Sequence, residues 1–123
     1  MTSIDSPITS VNRLQAPQNA AKMRDPLPRL LLQLTARAGN PVIVERATSR
    51  PWASALFQGR RHVIALQISG VDAAERRRRF ADGIEDAEWA LGSHFVADIT
   101  IDDHHASAEG EWIELSALTI EDW

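Results

Sequence analysis

Several kinds of chemistry are excluded by what this sequence lacks. It contains no cysteine, which rules out disulfide scaffolds, thiolate zinc sites, iron–sulfur clusters and thiol nucleophiles. No apolar run approaches the roughly 20 residues that are needed to span a bilayer. The N-terminus also lacks an apolar stretch of the signal-peptide type. We therefore expect a cytoplasmic protein.

The basic residues are unusual in kind and in position. Lysine occurs once against twelve arginines, and tyrosine is absent, a bias that we attribute to a GC-rich bacterial genome. Residues 1–70 hold nine basic and three acidic side chains, whereas residues 71–123 hold four basic and fourteen acidic ones. The net charge of −4 argues against a general polyanion binder. The two halves should attract each other or present opposite charges to solvent.

The 123 residues, 44% of them hydrophobic, are enough for one packed domain. Residues 1–24 have no sustained periodicity and predict a flexible N-terminal tail, so the domain is expected over residues 25–123. Asp25 and Pro26 begin a predicted helix that ends at Gly39. A second helix is predicted from Asp72 to Gly92. Its apolar stripe consists of Phe80, Ile84, Ala87 and Leu91.

Alternating apolar residues predict five strands, at residues 42–48, 52–58, 62–69, 94–101 and 111–120. A tight turn is expected at 58–61, a polar loop at 102–110, and a bulge near Ser116 and Ala117. On the fourth strand, Phe95 is expected to face inward. The element order is therefore α-β-β-β-α-β-β, an α+β fold in which two helices pack on one face of an antiparallel sheet.

Four tryptophans are many for a chain of this length, and exposed tryptophan is favoured at protein interfaces. The sheet face without helices should be apolar enough to favour dimerisation. The candidate interaction residues are Trp52, Leu56, Trp89 and Trp112.

Arginines cluster at two places, and both could bind an anion. The candidates are Arg60, Arg61, Arg76, Arg77 and Arg79. From Asp25 to Arg79, the order of helix, three strands and arginine-rich helix resembles the double-stranded RNA-binding domains. This resemblance implies that Arg76, Arg77 and Arg79 contact phosphates. The Gly-Pro-x-His-like turn of that family is not present, and Ser49-Arg50-Pro51-Trp52 stands in its place.

Histidine and aspartate residues near the C-terminus could form a metal-binding or hydrolytic site. The candidate ligands are His94, Asp98, His104 and His105. Strand parity predicts that His94, Asp98 and Asp102 line one face. No metal-ligand spacing or nucleophile motif accompanies them, so neither a catalytic residue nor a cofactor is expected. His62 is expected to be a hydrogen-bonded, half-buried histidine.

These observations favour a small non-enzymatic protein that acts by binding another protein or a second copy of itself. Binding of double-stranded RNA through the arginines is the alternative hypothesis. A metal or hydrolytic site near His94 is a second alternative. Nothing in the sequence indicates a membrane partner.

Overall fold

The computed structural model describes residues 25–122, which form an α+β domain with an antiparallel sheet, as the sequence predicted. The elements are α1 (Leu27–Ala38), β1 (Val42–Ala53), β2 (Gln58–Ile68), α2 (Ala73–Ala81), a short 3-10 turn (Ile84–Asp86), β3 (His94–Ser107) and β4 (Gly110–Glu121). Within the described residues the sheet has four strands in the order β1-β2-β4-β3, not five. The predicted tail, residues 1–24, lies outside the described residues.

Helix α1 begins close to where the sequence predicted. The Asp25 carboxylate accepts a hydrogen bond from the Leu27 backbone N–H at 3.0 Å, and Pro26 fits the start of a helix because it needs no N–H partner there. Leu30, Leu34 and Ala38 form the buried stripe. Because this stripe packs in the core, it fixes which side of α1 faces the sheet.

The first two predicted strands are one strand. Pro51, which was expected to separate them, lies within β1 and pairs with Arg60 of β2. An edge strand tolerates proline because one side of its backbone needs no ladder partner. The turn is therefore not at 58–61 but at 54–57, where the Ser54 N–H donates to the Phe57 carbonyl at 2.9 Å. The sheet therefore has one strand fewer than the sequence predicted.

The predicted polar loop at 102–110 is also mostly strand. β3 continues to Ser107, which pairs with Gly110 of β4, so only Ala108 and Glu109 form the turn. Gly110 adopts φ +138°, and a Cβ there would lie 2.1 Å from the Ile68 carbonyl oxygen. Gly110 is the first residue of β4, and glycine suits this position because it combines a positive φ with a close approach to the neighbouring backbone.

Helix α2 is shorter than the apolar stripe predicted. It ends at Ala81, because Asp82 is extended and Gly83 is left-handed with φ 70°. Ile84 and Leu91 are still buried, but they reach the core from the 3-10 turn and the segment after it. The shorter helix places Glu75 in its first turn and Arg78 and Arg79 in its last turn, which suits the helix dipole.

The core lies between the two helices and one face of the sheet. The sheet contributes its largest buried side chains from the two central strands: Ile64, Leu66, Ile68, Ile113 and Leu115. Both helices add buried residues to this cluster, principally Leu30, Leu34 and Phe80. Neither described helix packs on the opposite face of the sheet.

The irregular positions are in the edge strands. The bulge that was expected at Ser116 and Ala117 is absent from the continuous β2–β4 register. Register shifts occur instead in β3, between Val96 and Asp98 and between Ile101 and Asp103. Phe95 therefore faces away from the helices and is 42% exposed, contrary to the expected inward direction.

Candidate interaction surface

The sheet surface opposite the helices is here named the open face. Its members follow from the pairing register, because residues that pair across strands point to the same side. They are Ile43, Arg46, Thr48, Arg50 and Trp52 on β1; Gly59, Arg61, Val63, Ala65 and Gln67 on β2; Trp112, Glu114, Ser116, Leu118 and Ile120 on β4; and Phe95, Asp98, Thr100, Asp103 and His105 on β3. The open face therefore consists of five cross-strand rows.

One row carries an ion pair that crosses a strand. Arg46 of β1 pairs with Ala65 of β2, which in turn pairs with Glu114 of β4. The Arg46 guanidinium donates to the Glu114 carboxylate at 2.7 Å. Ala65 between them is fully buried. The small alanine leaves room for the two long side chains to meet above it. Their ion pair links three strands on a surface that neither described helix covers.

Two further rows are ordered by local contacts. At one end of the face, the rings of His105 and Trp112 stack with centroids 5.9 Å apart. Nearer the middle, the Ser116 hydroxyl donates to Asp102 at 3.3 Å and lies 3.4 Å from the Thr100 hydroxyl. These contacts hold the β3 side of the face in a defined conformation.

Charges of opposite sign occupy opposite sides of the open face. Arg50 and Arg61 lie on β1 and β2, whereas Asp98 and Asp103 lie on β3. None of these four side chains takes part in an ion pair within residues 25–122. The face thus has a basic side and an acidic side that the described part of the chain does not neutralise.

The row at the far end from His105 is apolar. Trp52 pairs with Gly59, Gly59 pairs with Ile120, and Ile120 pairs with Phe95. Ile120 is 4% exposed and Phe95 is 42% exposed. Gly59 has no side chain, and a Cβ there would lie 1.9 Å from the Thr119 carbonyl oxygen. This row is therefore closely packed within the sheet and still leaves an aromatic ring accessible to a partner.

The four predicted interaction residues do not share one surface. Trp52 and Trp112 lie on the open face, in its two terminal rows. Leu56 is in the β1–β2 turn and is 77% exposed. Trp89 is partly buried and packs against the core on the helix side. Sequence reasoning did not identify the charged members Arg50 and Asp103, because strand parity gives their side only once the bulges are known.

The arginines that were proposed to bind anions also point in different directions. Arg61 is on the open face, whereas Arg60 is on the helix side, with its Nε buried and unpartnered. Arg77 donates to Glu111 at 2.9 Å, and Arg79 lies 3.7 Å from Glu75. Since no two of these guanidinium groups are shown to converge, the described fold does not assemble a single basic patch from them.

Arg76 has a structural role instead. Its Nε donates to the Ala38 carbonyl at 3.1 Å, and its two Nη atoms donate to four further acceptors. These acceptors are the carbonyls of Ser69, Gly39 and Pro41 and the carboxylate of Asp72. A guanidinium has five N–H donors, so the internal acceptors match its whole capacity. Arg76 is 5% exposed and has no donor left for an external phosphate.

The histidine and aspartate candidates for a metal site are separated by the sheet. His94 is buried on the helix side, whereas Asp98 points to the open face because a register shift lies between them. His105 stacks on Trp112, while His104 pairs with Ile113 and points to the side opposite His105. Within residues 25–122, no group of three or more potential ligands could hold a metal ion.

His62 is buried on the helix side, as part of a chain of hydrogen bonds. Its Nδ1 lies 2.5 Å from the Ser49 hydroxyl and its Nε2 lies 2.9 Å from the Thr119 hydroxyl. The Thr119 hydroxyl donates to the Arg60 carbonyl at 3.4 Å, so the Thr119 oxygen accepts from the Nε2–H of His62. Because the proton is on Nε2, Nδ1 accepts from the Ser49 hydroxyl. The expected hydrogen bonds are confirmed, but the expected half-burial is wrong, because the side chain is fully buried.

Burial lowers the pKa of His62 to about 4, and the charge of Arg60 and the nearby His94 act in the same direction. Asp25 opposes this shift. The imidazole is therefore neutral at physiological pH. Although Ser49 and His62 are in hydrogen-bond contact, so weak a base is poorly suited to activate a hydroxyl nucleophile.

Comparisons with known proteins give no assignment. No protein-family model, no curated protein and no solved structure matches this chain. Neither helix within residues 25–122 has the length and apolar character that crossing a membrane requires.

Proposed function

We propose that this chain is a non-enzymatic binding protein that acts by protein–protein contact, and that the open face binds a second copy of the chain. One observation carries this proposal: the same face has unpaired arginines at one side and unpaired aspartates at the other. A partner that satisfies both needs an acidic and a basic region at matching separation. A second copy of this chain has that pattern.

The apolar row adds a reason for association. Phe95 exposes part of its ring beside Ile120, and Trp52 lies in the same row. Aromatic side chains are enriched in the centres of protein interfaces, and burial of this row would add a hydrophobic contribution to the charge complementarity. Charge complementarity alone would mainly raise the association rate and would give only a weak affinity.

The size of the open face is compatible with a weak dimer. Four strands about 4.8 Å apart and about ten residues of about 3.3 Å rise give an area of about 600 Å² per copy. Two copies would bury about 1,200 Å² in total, the lower limit for a stable interface. We therefore expect a dimer that dissociates on dilution.

The alternatives receive less support from the described residues. The RNA-binding hypothesis relies on the arginines of α2, but Arg76 is committed to internal carbonyls and Arg77 to Glu111. A hydrolytic or metal site would need His94 and Asp98 together, and they point to opposite faces. Neither arrangement provides a site for the corresponding chemistry.

Sedimentation equilibrium over a wide concentration range tests the proposal. We expect the mass to rise from 13.6 kDa toward twice that value with increasing concentration. The dimer fraction should fall as salt is raised, because screening weakens the charge pairs. A single mass of 13.6 kDa at every concentration and salt level would refute self-association, and would leave the face to a different protein or to another segment of this chain.

A further inference from the structure

We infer how the two copies are arranged: the twofold axis runs parallel to the strands, so that β1 of each copy lies over β3 of the other. This inference rests on the proposed function, since it assumes that the open faces meet. It adds the orientation and the residue pairs. Dimers of this type are symmetric, so every contact occurs twice.

Sheets that pack face to face usually keep their strands within about 30° of each other. Two aligned twofold arrangements then exist. With the axis parallel to the strands, each row faces the same row of the partner, and the order of strands is reversed. With the axis perpendicular to the strands, each strand faces itself and the order of rows is reversed. The charges distinguish these two arrangements.

The parallel axis brings opposite charges together. Arg50 faces the partner's Asp98. In the same row, Arg61 faces the partner's Leu118. Two rows away, Arg46 faces the partner's Asp103. Arg50 and Asp98 thereby gain partners of opposite sign. Asp103 lies opposite Arg46, which already pairs with Glu114 of its own chain, and the twofold axis repeats both contacts.

The perpendicular axis brings like charges together. Arg46 of one copy would face the partner's Arg50, and Asp98 would face the partner's Asp103. Like charges that are placed against each other and desolvated disfavour an interface. The charge pattern therefore selects the parallel axis.

Side-chain size is compatible with the parallel axis. In this arrangement, β2 lies over the partner's β4. Gly59 then faces the partner's Ile120. A residue without a side chain thus lies opposite a larger one, as close packing of two sheets requires. Trp52 faces the partner's Phe95 and completes the apolar row.

Charge reversal followed by mixing is the direct test. Arg50→Asp alone places two aspartates opposite each other, and Asp98→Arg alone places two arginines opposite each other. Each variant should dimerise at least about tenfold more weakly than the wild type. An equimolar mixture should recover dimers, because in a mixed pair position 50 of each chain faces position 98 with opposite charge. Glu88→Arg, outside the open face, is the matched control and should dimerise like the wild type.

The mixing experiment separates the two levels of inference. If wild type does not dimerise, the proposed function fails. If the wild type dimerises but both single variants are unaffected, or if mixing does not recover the dimer, the arrangement is refuted while self-association stands. Circular dichroism and urea midpoints confirm that each variant is folded; both sites are exposed, so reversal should affect folding little.

Cross-linking gives an independent readout, because the chain has no cysteine of its own. A mixture of Arg50→Cys and Asp98→Cys should be cross-linked by a short bismaleimide, whereas either variant alone should not. A mixture of Arg46→Cys and Arg50→Cys should stay largely unlinked. If the mixture of Arg46→Cys and Arg50→Cys is linked and the mixture of Arg50→Cys and Asp98→Cys is not, the axis is perpendicular to the strands and the inference is wrong.

Discussion

Arg37 and Arg76 cap each other's helices. Arg37 of α1 donates to the Phe80 and Asp82 carbonyls at the end of α2, at 2.7 and 2.6 Å. Arg76 of α2 donates to the Ala38 and Gly39 carbonyls at the end of α1. The last carbonyls of a helix have no acceptor role within it, and cations there also suit the helix dipole. This reciprocal pair fixes the two helices against each other on the sheet.

Replacement of Arg76 by alanine should destabilise the domain strongly. The change removes the donor from the buried Ala38 carbonyl and from the part-buried Gly39 and Ser69 carbonyls, while the Pro41 carbonyl keeps the Ser69 N–H at 3.2 Å. We expect the free energy of unfolding to fall by about 3 kcal/mol or more. Urea unfolding followed by circular dichroism measures this loss.

The adjacent arginines supply the control for that measurement. Arg78 is exposed and pairs only with Glu75 on the same helix, so Arg78→Ala should cost less than about 0.5 kcal/mol. Arg76→Lys should not restore stability, because one ammonium group cannot reach all the acceptors of a planar guanidinium. Equal losses at positions 76 and 78 would contradict the capping role.

Much of the fold could be predicted from the sequence because its signals are local. The stripe of Leu30, Leu34 and Ala38 identified α1, and the alternation of Ile64, Leu66 and Ile68 identified a half-buried strand. The strand count failed at Pro51, since proline usually interrupts a strand and only the sheet topology shows that β1 is an edge. The end of α2 was missed because Ile84 and Leu91 kept helical spacing without being helical.

The candidate surface was harder to predict than the fold. The apolar residues Trp52 and Trp112 could be placed on the side without helices, but their charged neighbours could not. A bulge shifts strand parity by one residue, and β3 contains two such shifts. Parity along the sequence therefore grouped Asp98 with His94, although the fold separates them. The arginines were grouped by adjacency, whereas Arg76 and Arg77 point to different acceptors.

The domain should lose stability as the pH falls below neutrality because of His62. Its pKa is about 4 in the folded protein and about 6.5 in the unfolded chain, so between these values the unfolded chain binds the extra proton. The contribution is complete above about pH 6.5 and is lost as the pH falls toward 4. The loss amounts to about 3 kcal/mol, which urea midpoints between pH 7 and pH 4 measure.

Comparison of the wild type with a His62 variant at each pH separates the effect of His62 from the titration of carboxylates. His62→Gln should be less stable than the wild type at pH 7, but the difference should shrink as the pH falls, because the variant lacks the titrating group. Gln67→Ala, which removes no ionisable group, should keep the wild-type pH dependence. A constant difference between wild type and His62→Gln would show that the histidine does not titrate as expected.

Gly59 should not tolerate a side chain. A Cβ at this position would lie 1.9 Å from the Thr119 carbonyl oxygen and 3.1 Å from the Ile120 Cα, both in the backbone of the neighbouring strand. Gly59→Ala must therefore displace β2 from β4, and we expect a loss of about 2 kcal/mol or more. Gln67→Ala, at the other end of β2, should cost much less in the same urea experiment. Similar values for both would mean that the strands adjust freely.

Phe95 should contribute to association more than to folding. Its ring is 42% exposed, so Phe95→Ala should lower the free energy of unfolding of the dissociated chain by no more than about 1 kcal/mol. The same change removes the aromatic group that faces the partner's Trp52, and we expect dimerisation to weaken about tenfold or more. Leu32→Ala is the matched control, because Leu32 is 70% exposed but lies on α1. If sedimentation equilibrium shows equal effects for both variants, apolar contact at this row does not stabilise the dimer.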